Sequence, residues 1–195
     1  MLLKKGAMFG LDARIALVVF TLVGLIATSF IYGFLKESNV KTIVYEARQI
    51  ETAIGVYEAD TETDFPFFSG SVYSLGELVD SSVGGWLGPY LNYSLVSGVD
   101  AKKYLVSKRY GRIAAFRATA RSASDVTDSP YNNCNGTQDC YLWFMYENSA
   151  DGSLNQVYMQ LLDKELDGGD GLLTGRVQKY NTDDLLLRMG QVEFY

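Results

Sequence analysis

The sequence predicts an α+β fold: a long N-terminal α-helix packed on a small antiparallel β-sheet. Two patterns carry that expectation. From Ile15 to Leu35 no side chain is charged, and beyond that run apolar residues recur every three or four positions as far as Tyr57, the spacing of a helix with one sticky face. From about residue 103 the pattern shortens to period two, in Ile113–Arg117 and most clearly in Tyr141–Glu147, which suits strands.

The helix comes first. The Ile15–Leu35 run rises roughly 32 Å as a helix, enough to cross a hydrocarbon core. Lys4 and Lys5 precede it, which favours a cytoplasmic N-terminus. Asp12 and Arg14 open the run; charges there belong near an interface or beside a partner group. A secretory signal peptide fits poorly, because its apolar region is shorter and ends at a small-residue cleavage site. Val40, Ile43, Val44, Ala47, Ile50, Ile54 and Tyr57 form the apolar stripe that follows, with Lys41, Glu46, Arg48, Gln49 and Glu51 on the other side. No proline occurs before Pro66, so one helix is expected from about Leu11 to about Ala59. Gly24, Gly33 and Gly55 are places where it can soften.

The rest reads as one globular domain. Residues 61–71, with Pro66 and Gly70, read as a turn-rich linker, and 72–80 as a short helix. Gly84-Gly85 and Gly88-Pro89 mark loops, and Asp151-Gly152 a turn. Val157–Leu166 suits either a strand or a helix, and the acidic glycine-rich stretch after it favours the helix. Gln178–Phe194 is expected to hold a final strand. The aromatic residues Tyr141, Trp143, Phe144 and Tyr146 are expected in the core.

Composition excludes several kinds of chemistry. The chain has no histidine, so the usual general base, zinc ligand and triad member are missing. It carries no Gly-x-Ser-x-Gly and no phosphate-binding Walker loop, and no carboxylate pair sits in an acid/base setting. An enzyme is not expected. Cys134 and Cys140 are the two cysteines. They can pair as a disulfide, which places the domain in an oxidising compartment, or stand as two free thiols. The net charge of -6 disfavours bulk nucleic acid unless a local basic patch supplies the contact.

Two polar clusters are candidate sites. Asp163, Glu165, Asp167 and Asp170, with Gly168, Gly169 and Gly171, offer oxygen ligands on a bendable loop, as Ca²⁺ requires. The spacing does not complete an EF-hand, and a solvated acidic turn is the competing reading. Lys102, Lys103, Lys108, Arg109, Arg112, Arg117 and Arg121 contain no acid among them and alternate with Tyr104, Tyr110 and Phe116. They can meet DNA phosphates, pair with acidic loops of a neighbouring subunit, or form a solvated strand face.

The N-terminal arrangement resembles the type IV pilin and type II secretion pseudopilin superfamily. Lys4-Lys5-Gly6 followed by Phe9-Gly10 looks like the short basic leader of a prepilin. Tyr57–Pro66 is similar to the stretch that ends the long helix in many members, and Gly85-Trp86-Leu87-Gly88-Pro89-Tyr90-Leu91 to a segment of the major pseudopilin. Leu166–Gly171 with Thr174–Val177 is similar to an acidic C-terminal loop of related pilins, a region where the major pseudopilins hold calcium. The resemblance implies a type IV pilin-like fold with a leader at 1–10, a transmembrane and filament-core helix at 11–35, its amphipathic continuation at 36–60 and a head at 61–195. It implies cutting between Gly10 and Leu11 by a prepilin peptidase, methylation at Leu11, and assembly of copies by dedicated machinery. The chain would then pass from a single-span inner-membrane form with a periplasmic head to a pilus or pseudopilus. Members usually carry Glu five residues after the cut; here that residue is Ile15. The nearest acid, Asp12, with Arg14 beside it, is the candidate substitute, and some minor, tip-located pseudopilins also lack the Glu. A tip subunit that binds DNA or a secreted substrate, and a lone membrane-anchored periplasmic domain, are the alternatives.

Overall fold

A computed structural model describes residues 8–120, 134, 138–147, 154 and 156–192. The leader residues 1–7, Arg121 and the Asp151-Gly152 turn lie outside the described residues. Helix α1 spans Met8–Thr61, and the chain divides at Lys41–Thr42 into two compact units.

In the first unit, residues 12–31 are exposed throughout. Asp12–Ile31 is long and apolar enough to cross a membrane. Its few hydroxyls turn inward along the helix: Thr21 donates to the Leu17 carbonyl at 2.7 Å, Thr28 to Gly24 at 2.8 Å and Ser29 to Leu25 at 3.0 Å. An apolar surrounding would supply no hydrogen-bond partners, and these local bonds satisfy the hydroxyls without one. Helix α1 continues through Gly24, Gly33 and Gly55.

The second unit is an antiparallel sheet covered on one face by the later part of α1. Ile43, Ala47, Ile50, Ala53 and Tyr57 are its buried stripe, the three-and-four spacing expected of a one-faced helix. Val44 and Ile54, expected in that stripe, are only half-buried, and Ala53 is buried in their place. The strands are β1 (Phe67–Ser69), β2 (Val72–Tyr73), β3 (Ser94–Leu95), β4 (Leu105–Ser107), β5 (Gly111–Thr119), β6 (Cys140–Glu147), β7 (Val177–Tyr180) and β8 (Asp184–Val192). Their order is β1-β2-β5-β6-β8-β7, with the β3–β4 hairpin attached to β5. Helix α2 (Gln156–Asp167) lies between β6 and β7 in the chain, in agreement with the helical reading of that segment.

Pairing of Ile113 with Tyr146, Ala115 with Phe144 and Phe144 with Leu187 puts these residues on one face of the sheet. The Tyr146 hydroxyl donates from that face to the Ile43 carbonyl of α1 at 3.3 Å. The other face is also buried, by Ala114, Phe116, Ala118, Trp143, Met145 and Leu186. Arg188 lies over Tyr141 and Trp143, and Arg117 over Phe67. Period-two alternation in β5 and β6 therefore sorts residues between two buried faces, and the aromatic residues expected in the core are there or at its edge.

Three expectations are corrected. The 61–71 segment is not only linker: α1 reaches Thr61 and β1 begins at Phe67. Residues 72–80 start as strand β2, joined by Val72 to Phe116, and only Leu75–Leu78 turns helically, as a 3-10 helix. The C-terminal strand is two, because Asn181 takes a left-handed φ of 52° and its amide donates to Asp184, reversing the chain between β7 and β8.

Candidate functional site

The acidic loop is built by the end of α2. Asp163 and Asp167 lie one helical turn apart on that helix and so share a face. Gly168, Gly169 and Gly171 then carry φ values of 76°, 85° and 101°, and the loop folds back under α2. The Gly169 amide donates to the Asp163 carbonyl at 3.3 Å, and the Gly171 amide to Asp163 Oδ2 at 3.2 Å. Further on, the amides of Arg176 and Val177 both donate to Asp167 Oδ2, at 2.5 and 2.9 Å.

This closure brings Asp163, Asp167 and Asp170 together, each offering an oxygen within 4.8 Å of the others. Gly175 makes the approach possible. A Cβ there would stand 2.6 Å from Asp167 Oδ2 and 2.7 Å from both Asp170 oxygens, and its φ of 75° disfavours a side chain as well. Gln178, fully buried at the start of β7, holds the same turn by donating from Nε2 to the Gly175 carbonyl at 3.1 Å. Gln178 lies outside the acidic motif, and no local pattern in the sequence points to it.

The electrostatics of the loop are uneven. Asp163 is 4% exposed, and its Oδ1 has no hydrogen-bond partner. Burial, then the neighbouring Asp170 and Asp167 charges, raise its pKa against the lowering effect of the Gly171 amide. No ion pair reaches the three carboxylates among the described residues. A buried carboxylate oxygen without a donor, facing two further carboxylates, fits a hard cation such as Ca²⁺, which takes oxygen ligands. Glu165, expected in this set, is outside the group; its position in the helix differs from those of Asp163 and Asp167 by two residues, which points it elsewhere.

The basic stretch is dispersed. Lys102 ion-pairs with Glu77 at 3.6 Å and Asp80 at 3.7 Å. Arg112 pairs with Glu147 at 2.7 Å and lies over Tyr104, as does Lys103. Arg117 covers Phe67, and Arg109 lies over Tyr110. Lys108 is exposed in the β4–β5 turn. Cys134 and Cys140 are joined as a disulfide with their Cα atoms 5.9 Å apart, at the start of β6. Asp12 and Arg14 are exposed near the start of α1, and Gly10 and Leu11 lie in its first turn.

A further polar contact was hidden in the helix pattern. Glu46 reads as part of the solvated side of α1, yet its Oε1 accepts the Tyr93 hydroxyl at 2.7 Å. Burial raises its pKa, outweighing the lowering effects of the Tyr93 hydrogen bond, the nearby Ser107 hydroxyl and the Arg109 charge.

No family model, curated protein or solved structure matches the chain.

Proposed function

We propose that the chain is a membrane-anchored filament subunit of the pilin and pseudopilin kind, and not an enzyme. One observation carries the reading. A single 54-residue helix holds a stretch without charged side chains from Ile15, within the membrane-length segment Asp12–Ile31, and a one-faced buried stripe from Ile43 to Tyr57. An element of that composition needs lipid or other helices around its first part and a globular partner along its second. Burying some twenty apolar residues gains about 25 cal/mol per Å², and copies of the same helix provide that surface once it leaves the bilayer. The leader pattern ending at Gly10 supports release by a peptidase, and the disulfide supports a head outside the cytoplasm.

The test is the intact mass of the membrane-extracted protein. A mass lacking residues 1–10 is expected. A full-length mass overturns the reading and leaves a tethered domain.

The loop of Asp163, Asp167 and Asp170 is the head's cation site in this reading, favoured by the orphaned buried oxygen of Asp163. When bound, a divalent cation neutralises the three carboxylates and fixes the turn; its role is structural.

A further inference from the structure

We propose that a groove on the outer side of the second part of α1 receives the first turns of the apolar helix of a second copy of this chain, with Asp12 of that copy paired to Arg48. The inference rests on the filament reading and names the surface that accepts a neighbour.

The groove, of about 560 Å³, is lined from α1 by Tyr45, Arg48, Thr52 and Val56, and from the facing loop by Tyr90 and Leu91. Tyr45 and Val56 are 63% and 43% exposed, large apolar groups on either side of a cation along the helix. The facing wall is fixed. The Tyr90 hydroxyl donates to Asp60 Oδ2 at 2.9 Å, the Trp86 indole to the Glu77 carbonyl at 3.1 Å, and Gly85 comes so close that a Cβ would stand 2.6 Å from the Asp60 carbonyl oxygen.

Charge selects the occupant. Arg48 makes no ion pair among the described residues, whereas Lys102 and Arg112 do. Asp12 is the sole carboxylate before Glu37 and has no ion pair among them either. It opens a segment that is exposed throughout. An ion pair flanked by apolar groups is screened less than one on an open surface.

Spacing selects the orientation. Asp12, Ala16 and Phe20 recur every four residues, as do Arg48, Thr52 and Val56, so both sets form ridges on one helix face. With Asp12 at Arg48, a parallel helix lays Ala16 against Thr52 and Phe20, which is 82% exposed, against Val56. An antiparallel helix runs off the groove past Tyr45. The implied stagger between neighbours is roughly 54 Å along the helix.

The experiment is disulfide trapping in whole cells that produce the full chain together with its own assembly machinery, because a stagger of this size exceeds the roughly 30 Å hydrocarbon core and forms only once one helix has left the bilayer. It uses Ala16→Cys and Thr52→Cys in one chain, which leaves Asp12 and Arg48 intact. These positions lie about ten turns apart on one helix, so a bond between them joins two chains. Oxidation is expected to give a ladder of linked multimers, absent from each single variant. Adding Arg48→Asp should remove the ladder, and combining it with Asp12→Arg should restore it. A Val19→Cys chain reports helix association independently. Linked dimers at Val19 without any 16–52 ladder overturn the groove and leave the filament reading standing. No links at either place overturn both. Capture of a different protein by the thiol of the Thr52→Cys variant also overturns the proposal, as does a ladder that Arg48→Asp leaves unchanged.

Discussion

The Tyr93 hydroxyl donates to Glu46 Oε1 across 2.7 Å, joining the approach to β3 to the middle of α1. The second carboxylate oxygen, Oε2, is buried without a partner. Burial raises the Glu46 pKa above 4.5, so the folded head keeps a proton at pH values where the unfolded chain has lost it. Glu46 therefore favours folding most at low pH, and that contribution is lost as pH rises through 4.5 and the higher folded value. Glu46→Gln keeps an acceptor for Tyr93 without the charge. We expect it to be more stable than the parent at pH 7 and the gap to close near pH 4, read from urea midpoints of the detergent-solubilised chain. Parallel pH profiles for the two proteins refute this. Tyr93→Phe orphans Oε1 as well and should cost about 1–3 kcal/mol at pH 7.

Gly175 gives the acidic loop its shape. Gly175→Ala puts a methyl group against the Asp167 and Asp170 carboxylates in a left-handed backbone. The expected cost is on the order of 1–3 kcal/mol, measured by the same denaturation. An unchanged midpoint would falsify the account of the close approach.

Cation binding at the loop should appear as thermal stabilisation. A ligand at a hundred times its dissociation constant adds about 2.7 kcal/mol. Calcium chloride should raise the melting temperature of the full chain, EDTA should reverse the rise, and Asp163→Asn should abolish it. Glu165→Gln, outside the group, should leave it intact. Equal shifts in the parent and Asp163→Asn rule the site out.

Arg112 belongs to a network inside the head: its guanidinium pairs with Glu147, which also accepts the Tyr104 hydroxyl at 2.9 Å. The guanidinium is partly exposed, so Arg112→Ala should cost only about 1 kcal/mol. Lys108→Ala, at an exposed turn position, should change stability by less than about 0.5 kcal/mol. Equal costs for the two substitutions contradict the network.

Helix α1 and strand β6 were legible because their signals are local. In α1 each apolar residue from Ile43 to Tyr57 is judged by neighbours three and four positions away, and those neighbours are fixed by helix geometry alone. The second C-terminal strand was missed because a single left-handed residue, Asn181, makes the turn, and asparagine occurs there without the Asn-Gly pair that marks a hairpin. The 72–80 segment has helical spacing, yet Val72 is drawn into pairing with Phe116, far away in the chain. Glu46 was assigned to the solvent because periodicity reports the side of a helix and not what a distant loop brings to it.

The sequence by itself determined the anchor-length apolar run, the one-faced helix behind it, the α+β class and the set of acidic residues near the end of α2. These depend on the order of residues within a few turns or strand steps. Only the tertiary structure decided that Asp163, Asp167 and Asp170 converge without Glu165, that both sheet faces are buried, and that most of the basic stretch is engaged inside the head. Each of those depends on loop closure and strand register, which bring together residues whose separation along the chain carries no record of their distance in space.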